Sequence, residues 1–442
     1  MLHKNLSSEF AHMKKIKKKN KKVPLDLDHY LQFPMKHPFQ LILANREGSL
    51  LFASTKNVVQ VFSTENGQLI AKWIDPIDTF HTLKKQQKEK IQALKEKTEG
   101  PVKIPKIPVP GKGAPPIFNY IRNMHLTGDE SKLIVTTDSD KAVVILELNL
   151  DNSDFESRIV VLSRQAFAKR PCAISIKEDD SRLVVADKFG DVYDVSLDKN
   201  FLTLEQQAPK KSILGHVSML TNVIFAKNHI ITSDRDEHIR VTQYPKTYII
   251  ERYLFGHSQF VSCLKLCPWN EDILISGGGD DFINIWNWTT GDLLFHLDLT
   301  SYVQPLITDR HLAPMRFQNK EGNLTETNVS ELLVHDHKLF VLIECTSAVL
   351  IFDFQSTDNL PLLHVIKTQS PVVHISIALS KLYVALEDYT IDGFEIFDTN
   401  TFQPVLEDVS KNIYSNSTVE FESTTEQYPL YHVAQLRKRG EH

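Results

Sequence analysis

The chain has 442 residues, of which 42% are hydrophobic and 24% are charged, so it can bury a core and is not disordered throughout. Its formal net charge of −5 excludes a protein whose whole surface grips nucleic acid. No apolar run approaches the roughly 20 residues that a membrane-spanning helix needs, so we expect no membrane partner. Only Cys263 and Cys267 of the four cysteines lie close together, which favours reduced, buried thiols over a metal site.

The N-terminal segment, residues 1–28, is rich in lysine and contains the run KKIKKKNKK from Lys14 to Lys22. A run with one sign of charge stays solvated and suits an acidic receptor groove. We interpret it as a nuclear-import-like tail, with a plain solubilising tail as the alternative. The expected location is therefore the nucleus, with the cytoplasm as the second choice.

From residue 29 onward the sequence repeats one theme: a β-rich run, a turn with Asp or Gly, and a second run of alternating apolar residues. Four copies overlay well: VTTDSDKAVVIL from Val135, VVADKFGDVYDV from Val184, ITSDRDEHIRVT from Ile231 and ISGGGDDFINIW from Ile275. They recur roughly every 45 to 50 residues, close to the ~40 to 45 typical of WD repeats.

Two copies are preceded by a Gly-His pair, and one closes on a tryptophan where a WD dipeptide would stand. These signature residues are Gly215, His216, Gly256, His257 and Trp286. Degenerate copies near Leu50, Phe340 and Leu382 bring the number of repeats to about seven, within the usual range for propellers. We therefore predict an all-β fold, a seven-bladed WD40-type β-propeller over residues 29–442, with strands near Phe39 and Phe394 completing one blade together.

Two segments interrupt the repeats. Residues 83–113 read as a charged stretch with helical character followed by a proline-rich extended stretch, and we predict a flexible Lys/Pro-rich insertion between the first two blades. Residues 301–330 form a long inter-blade connection that contains HLAPMRFQN. Its apolar and aromatic residues indicate that it packs on the ring.

Catalytic motifs are missing from the sequence. The glycine cluster Gly277 to Gly279 lies in a strand–turn–strand context, which contradicts a phosphate-binding loop. The eighteen histidines show no metal-binding spacing, and there is no nucleophile elbow. We therefore expect a non-catalytic binding protein with no catalytic residue, no cofactor and no metal of its own.

One repeat departs from the others in its charges. Where the sister copies carry Val144, Tyr193 and Asn284, the repeat from Ile231 carries Arg240, which must be paired or reach the rim because a lone buried charge is costly. Its turn carries Arg235 and Asp236, and the preceding repeat offers Lys188. Such a mixed patch can orient a complementary protein surface. The alternative is that these charges satisfy one another within the turn.

Several stretches resemble a known family, the WD-repeat non-catalytic subunits of the eukaryotic, fungal-type tRNA (guanine-N7-)-methyltransferase. They are GAPPIFNYIRN from Gly113, KRPCAISI from Lys169, VADKFGDVY from Val185, ILGHVSMLT from Ile213, ITSDRDEHIRV from Ile231, FGHSQFVS from Phe255, HLAPMRFQN from His311 and YPLYHVAQLRKRGEH from Tyr428. The first ~110 residues resemble the family much less, as free-varying termini and insertions do.

The resemblance implies a heterodimer in which the propeller holds a Rossmann-type subunit that carries S-adenosylmethionine and methylates a guanine in the tRNA variable loop. Position by position, the family's partner contacts fall on Lys188, Asp236 and Arg240, with Arg235 beside them. Charge reversal at Arg240, alone or with Lys188, is therefore expected to weaken the heterodimer and leave the propeller folded.

Contact with tRNA would be supplementary, and its candidate residues are the N-terminal lysines, Lys103, Lys106 and the run Arg437, Lys438 and Arg439. Two alternatives stay open. A general WD-repeat scaffold of another nuclear complex fits the repeats equally well. An enzyme that uses the central channel would show perturbed carboxylates or metal ligands there.

Overall fold

The computed structural model describes residues 35–96, 119–197, 211–389, 392–421 and 426–438. The sequence predictions that lie outside these residues are the lysine-rich tail, the proline-rich part of the insertion, Lys103, Lys106 and Arg439. The structure therefore bears on the ring, on half of the first insertion and on most of the C-terminal segment.

Seven antiparallel sheets form the blades of a β-propeller, and in each sheet every strand pairs with the next one along the chain. Six sheets have four strands, and the seventh has three strands among the described residues.

The strands of blades one to four are as follows. Blade one contains β2 (Leu41–Ala44), β3 (Leu50–Thr55), β4 (Val58–Ser63) and β5 (Leu69–Ile74); blade two contains β6 (Ile121–Leu126), β7 (Lys132–Thr137), β8 (Ala142–Leu148) and β9 (Ile159–Ala166); blade three contains β10 (Pro171–Ile176), β11 (Arg182–Asp187), β12 (Asp191–Ser196) and β13 (Leu214–Gly215); blade four contains β14 (Leu220–Ala226), β15 (His229–Asp234), β16 (Ile239–Gln243) and β17 (Ile250–Leu254).

The remaining strands lie in blades five to seven and in one closing pair. Blade five contains β18 (Val261–Cys267), β19 (Asn270–Gly278), β20 (Phe282–Asn287) and β21 (Asp292–Asp298); blade six contains β22 (Val329–His335), β23 (Lys338–Ile343), β24 (Ala348–Asp353) and β25 (Leu362–Lys367); blade seven contains β26 (Val372–Ala378), β27 (Lys381–Leu386) and β28 (Phe394–Asp398); the closing pair is β1 (Met35–Lys36) with β29 (Glu420–Phe421).

The core lies between neighbouring sheets, because each blade is apolar on both faces. Between blades four and five, Ile231 and Val241 of one sheet pack with Trp286 of the next, all at most 1% exposed. Blades one and seven also contact each other, which closes the ring. The Ala44 amide of blade one donates to the Ser376 hydroxyl of blade seven over 3.0 Å. The prediction of a seven-bladed propeller is therefore confirmed.

The chain ends close the ring differently from the prediction. Phe39 does pack its ring on Phe394, with centroids 5.9 Å apart, but it belongs to no strand. The N-terminal strand β1 pairs instead with β29 beyond blade seven. Residues 403–405 and a helix occupy the outer edge of blade seven, where the Val405 amide donates to the Ile396 carbonyl over 2.8 Å. The expectation that strands near Phe39 and Phe394 complete one blade was therefore wrong.

Three α-helices accompany the strands of the described ranges: α1 (Thr79–Glu96), α2 (Thr300–Val303) and α3 (Glu407–Ser415). Helix α1 covers the charged part of the insertion, whose proline-rich part lies outside the described residues. Helix α3 forms the outer layer on blade seven and buries Ile413 and Tyr414. No helix within the described ranges is long and apolar enough to span a membrane.

The long connection between blades five and six packs on the ring through part of its length. His311 is 5% exposed, and its Nε2 lies 3.1 Å from the Glu344 carbonyl oxygen. Ala313 is also buried, whereas Met315 is 94% exposed. All four cysteines lie among the described residues, and none of them forms a disulfide.

The signature residues of blade five form one buried hydrogen-bonded chain. The Trp286 indole Nε1 donates to the Ser276 hydroxyl over 2.8 Å, and that hydroxyl lies 2.7 Å from Nε2 of His257. On its other side His257 Nδ1 lies 2.8 Å from the Asp280 carboxylate. A polar chain of this kind is stable in the core because each buried group has a partner.

The glycine cluster of blade five has a packing role. A Cβ built on Gly278 would lie 1.9 Å from the Phe260 carbonyl oxygen, and one on Gly279 would lie 2.5 Å from the Phe260 ring. Glycine is required there because the turn presses against the preceding loop.

Removal of the Trp286 side chain is expected to destabilise the ring. Trp286→Ala should lower the free energy of unfolding by roughly 3 to 5 kcal/mol, since it empties a fully buried site and leaves the Ser276 hydroxyl without its donor. Denaturant unfolding followed by circular dichroism measures the change. Trp269→Ala is the matched control: Trp269 is 40% exposed and packs on His337 and Phe354, so its loss should cost clearly less than the loss of the fully buried Trp286. Equal losses for the two variants would contradict the prediction.

Candidate partner-binding surface

Three neighbouring segments of blades three and four form one surface: the turn 187–190, the link 215–219 and the turn 234–238. We call it the three-turn surface. The His216 amide donates to the Gly190 carbonyl over 2.8 Å, and the Arg235 amide donates to the Met219 carbonyl over 2.9 Å. Gly190 has a φ of +99°, and a Cβ there would lie 2.4 Å from the His216 oxygen. Glycine thus allows the first two segments to touch.

Lys188 contributes an exposed cation to this surface. Among the described residues it forms no ion pair with a carboxylate. Partial burial, together with repulsion from Arg170, Lys141 and Lys169, lowers the pKa of Lys188. A cation held near other cations favours a negatively charged neighbour from outside.

An exposed aromatic ring lies beside these cations. Phe189 is 56% exposed, and its ring centroid is 3.9 Å from Lys169 Nζ and 5.7 Å from Lys188 Nζ. Val217 in the adjoining link is fully exposed, and Phe255 at the end of blade four is 70% exposed. Exposed aromatic and apolar residues ringed by charge are the usual anchors of a protein interface.

Sequence reasoning missed these apolar residues. A signal was available for two of them: Phe189 stands where sister repeats carry Asp140, Asp236 and Asp280, and Val217 stands where the other Gly-His repeat carries Ser258.

Arg235 and Asp236 are held by the C-terminal segment. Arg235 Nε donates to the Leu436 carbonyl over 2.7 Å, and Lys438 Nζ lies 2.8 Å from the Asp236 carboxylate. Ser218 donates to the same carboxylate oxygen over 2.7 Å. Burial would raise the pKa of Asp236, but the Lys438 and Ser218 hydrogen bonds outweigh it and lower the pKa. The alternative that these charges satisfy one another within the turn does not describe the pairing, because Asp236 is matched from the other end of the sequence.

Arg240 is buried. It is 5% exposed, and its guanidinium donates to the Gly215 carbonyl over 2.9 Å and to the Thr242 hydroxyl over 3.2 Å. The expectation that Arg240 is paired or reaches the rim was wrong, since neutral oxygens of its own region hold it. Arg240→Glu would set a carboxylate against the Gly215 carbonyl, so it probes the fold before it probes any partner. A role of Arg240 in partner binding stays a prediction.

The signature of blade four explains why Asp236 reaches the surface. In blade five one carboxylate, Asp280, binds both His257 and Ser258. In blade four two carboxylates share the equivalent hydrogen bonds. Asp234 Oδ2 lies 3.0 Å from His216 Nδ1, and Asp236 accepts from the Ser218 hydroxyl and can bind a further donor.

The two glycines of the Gly-His pairs, Gly215 and Gly256, each lie next to a side chain of the following blade. Gly215 supplies the carbonyl that accepts from Arg240, and a Cβ on Gly256 would lie 3.0 Å from the Trp286 ring. Both histidine side chains are nearly inaccessible, at 3% for His216 and 0% for His257. They are structural residues of the ring.

Residues 426–438 form a C-terminal strap that runs across the ring from blade one to blade four. It begins on blade one, where Gln40 Nε2 donates to the Pro429 carbonyl over 2.8 Å. The buried Glu344 carboxylate of blade six accepts from the Val433 and Ala434 amides, each over 2.7 Å. The strap then ends against the turn 234–238.

Arg437 lies inside the structure. Its Nη2 donates to the Gly279 carbonyl over 2.7 Å and to the Thr327 carbonyl and the Asn328 side chain over 2.9 Å each. Its side chain is 13% exposed. The expectation that Arg437 is available to tRNA therefore does not fit the structure, although Lys438 beside it is half exposed.

The enzyme alternative predicted reactive groups in the central channel. On the first strands of blades five to seven, Glu331 lies 3.7 Å from Lys265 Nζ and 3.8 Å from His374 Nε2, so it is matched on both sides. Within the described ranges no group of three His, Cys, Asp or Glu residues is placed to hold a metal ion. The contacts of Glu331 with Lys265 and His374 connect the first strands of three neighbouring blades.

The sequence pattern of the family described as the tRNA methyltransferase TRM82 WD40 domain matches residues 51–212 and 203–393. The chain belongs to this family. A relative from Debaryomyces hansenii is 41% identical over 92% of this chain and 100% of its own length, and one from Saccharomyces cerevisiae is 36% identical over 92% and 99%. Both bear the name tRNA (guanine-N(7)-)-methyltransferase non-catalytic subunit TRM82.

Solved structures support the fold of this TRM82-family chain. A chain of the mitotic checkpoint complex matches with a TM-score of 0.55 and 13% identity, covering 86% of this chain and 99% of that one. The WD40 repeats of RRP9 match with a TM-score of 0.53 and 14% identity, covering 79% and 87%. At such identities the likeness concerns the propeller alone.

Two histidines tie the strap to pH in this TRM82-family chain. His37 Nε2 accepts from the Tyr428 amide over 3.0 Å, and burial, with Lys56 nearby, lowers the pKa of His37 to about 4. His432 stacks on Tyr120 at 5.4 Å, and burial, reinforced by neighbouring arginines, lowers its pKa to about 3. Both must be neutral while the strap is bound.

Acid should therefore loosen the strap. In the folded protein both pKa values lie below that of an unfolded histidine, so the neutral histidines stabilise the bound strap fully above about pH 6.5. This stabilisation is lost as the pH falls from about 6.5 toward 4 for His37 and toward 3 for His432. Each histidine then contributes a loss of up to about 1.4 kcal/mol for each pH unit. Hydrogen exchange at the Tyr428 and Val433 amides, corrected for intrinsic rates, should show less protection at pH 5 than at pH 7.5. The Leu274 amide of blade five is the control. Unchanged protection of the strap would contradict this expectation.

Proposed function

We propose that this chain is the non-catalytic subunit of a tRNA (guanine-N(7)-)-methyltransferase and binds the catalytic subunit through the three-turn surface. The observation that carries the proposal is the end-to-end match to relatives of that name, 36% to 41% identical over 92% of this chain. In this proposal the catalytic subunit holds S-adenosylmethionine and the guanine of the tRNA variable loop, and this chain supplies no reacting group.

The charge of the surface supports an acidic partner. Lys188 is exposed and forms no ion pair with a carboxylate among the described residues. Within the same residues, the Arg235 guanidinium donates through Nε to the Leu436 carbonyl, and its Nη groups suit a carboxylate of the partner. Phe189 and Val217 supply apolar contact area beside these cations. Complementary charge would set the orientation of the two proteins, and apolar burial would supply most of the affinity.

The mechanism we propose is binding linkage. A partner that binds only the competent conformer of an enzyme raises the population of that conformer by its differential affinity. The rigid ring suits this role, since its surface is preorganised by the glycine contacts and the strap. Heterodimer formation, supplementary contact with tRNA and a nuclear location belong to the proposal as predictions.

Methylation of tRNA is expected to depend on this chain. The catalytic subunit alone should transfer methyl groups to guanine N7 slowly, and addition of the full chain should raise the rate by at least about tenfold, equivalent to 1.4 kcal/mol of preference for the competent conformer. Methyl transfer to purified tRNA in single-turnover reactions measures this. Equal rates with and without the chain, or transfer by the chain alone, would refute the proposed function.

Charge reversal at Lys188 should weaken the heterodimer. Lys188→Glu sets like charge against an acidic partner and is expected to raise the dissociation constant by at least about tenfold, more at low salt than at high salt. Calorimetric titration with the catalytic subunit measures it. Lys246→Glu is the matched control, because Lys246 is exposed in the turn between β16 and β17 at the opposite end of blade four. If both variants bind like the unaltered chain, the surface is assigned wrongly.

A further inference from the structure

We infer that the C-terminal strap is part of the partner-binding surface and that Arg437 is the positioning residue that holds it there. The inference rests on the proposed function and extends it, since the strap lies outside the seven repeats. It is carried by a chain of contacts from the buried Arg437 side chain to the exposed charges of the turn 234–238.

Arg437 is anchored on three sides. Its Nη2 reaches the Gly279 carbonyl of blade five and the Thr327 carbonyl and Asn328 side chain before blade six. Its Nη1 also lies 3.3 Å from the Gln259 side-chain oxygen. A guanidinium fixed by several buried acceptors has little freedom, so the backbone that carries it is also fixed.

The residues on either side of Arg437 contact the proposed surface directly. The Leu436 carbonyl accepts from Arg235 Nε, which sets the direction in which the guanidinium points. Lys438 pairs with Asp236 over 2.8 Å. Because both contacts lie one residue from the anchor, displacement of Arg437 would release both at once.

The strap also changes the charge of the surface. The turn 234–238 carries Arg235 against Asp236 and the exposed Glu237, and Lys438 adds a second cation that is 50% exposed. Together with Lys188, the accessible charges of the surface are then three positive and two negative. Lys438 thus changes the accessible charge of the turn from net negative to balanced, and with Lys188 the surface is net positive, which suits the acidic face of the catalytic subunit.

The test compares two arginines that bind backbone carbonyls in different places. Arg437→Met in the full chain should raise the dissociation constant for the catalytic subunit by at least about tenfold and reduce hydrogen-exchange protection at the Val433 and Ala434 amides. Arg158→Met is the matched control: Arg158 binds the Asn152 and Ile70 carbonyls far from the strap, and its loss should leave the affinity unchanged. An Arg437→Met chain that loses protection and keeps its affinity would overturn the inference.

A double-mutant comparison separates positioning from general destabilisation. Arg235→Gln should weaken binding in the unaltered chain and have little further effect in Arg437→Met, because the strap already fails to orient Arg235. Multiplicative losses would show that the two residues act independently and would also overturn the inference. If Arg437→Met lowers the thermal unfolding temperature of the whole chain, Lys438→Glu is used in its place, because the Lys438 side chain is half exposed. Unchanged affinity of Lys438→Glu for the catalytic subunit would contradict a role of the strap in binding.

The outcome for Lys188→Glu keeps the two proposals apart. Loss of binding in Lys188→Glu with normal binding in Arg437→Met and Lys438→Glu removes the strap from the surface and leaves the proposed function intact. A chain that fails to bind the catalytic subunit in its unaltered form refutes the proposed function itself.

Discussion

Every blade of this protein is apolar on both faces, and that constraint determines the rest of the structure. A single four-stranded sheet of this kind cannot be stable in water, because it has nowhere to bury its second face. The ring solves the problem by packing each sheet between two others, and the cluster around Trp286 shows how one blade supplies the core of its neighbour. Since all buried faces are used for stability, specificity must come from the turns and links at the edge.

Blade four shows how a repeat is adapted to that purpose. In blade five Asp280 alone binds the histidine and the serine that follows it, whereas in blade four Asp234 binds the histidine and Asp236 binds the serine. The division keeps the buried histidine hydrogen-bonded and places the Asp236 carboxylate near the surface, where Ser218 and Lys438 bind it. The second carboxylate in this turn thus moves Asp236 away from the buried histidine without loss of the internal hydrogen bonds.

The ring and most of its blades could be predicted from sequence, because repeats, turn residues and the Gly-His and Trp signature are local patterns. The sequence also predicts Lys188 as a partner contact; the structure shows that its side chain is exposed, and its role stays a prediction. The pairing of Asp236 with Lys438 could not be found, since it joins residues about 200 positions apart. The burial of Arg240 was missed for a related reason: strand alternation shows which side the guanidinium faces, but only the structure shows that neutral oxygens occupy that side.

The route of the strap has a consequence for the order in which the protein is made. At a synthesis rate of roughly 5 to 20 residues per second, the turn 234–238 leaves the ribosome about 10 to 40 seconds before Lys438 does. During that interval the ring also lacks β29, the pairing partner of its first strand. A nascent chain therefore displays Asp236 bound by Ser218 but not by Lys438, and the charge of this turn changes once residue 438 has been synthesised and has docked.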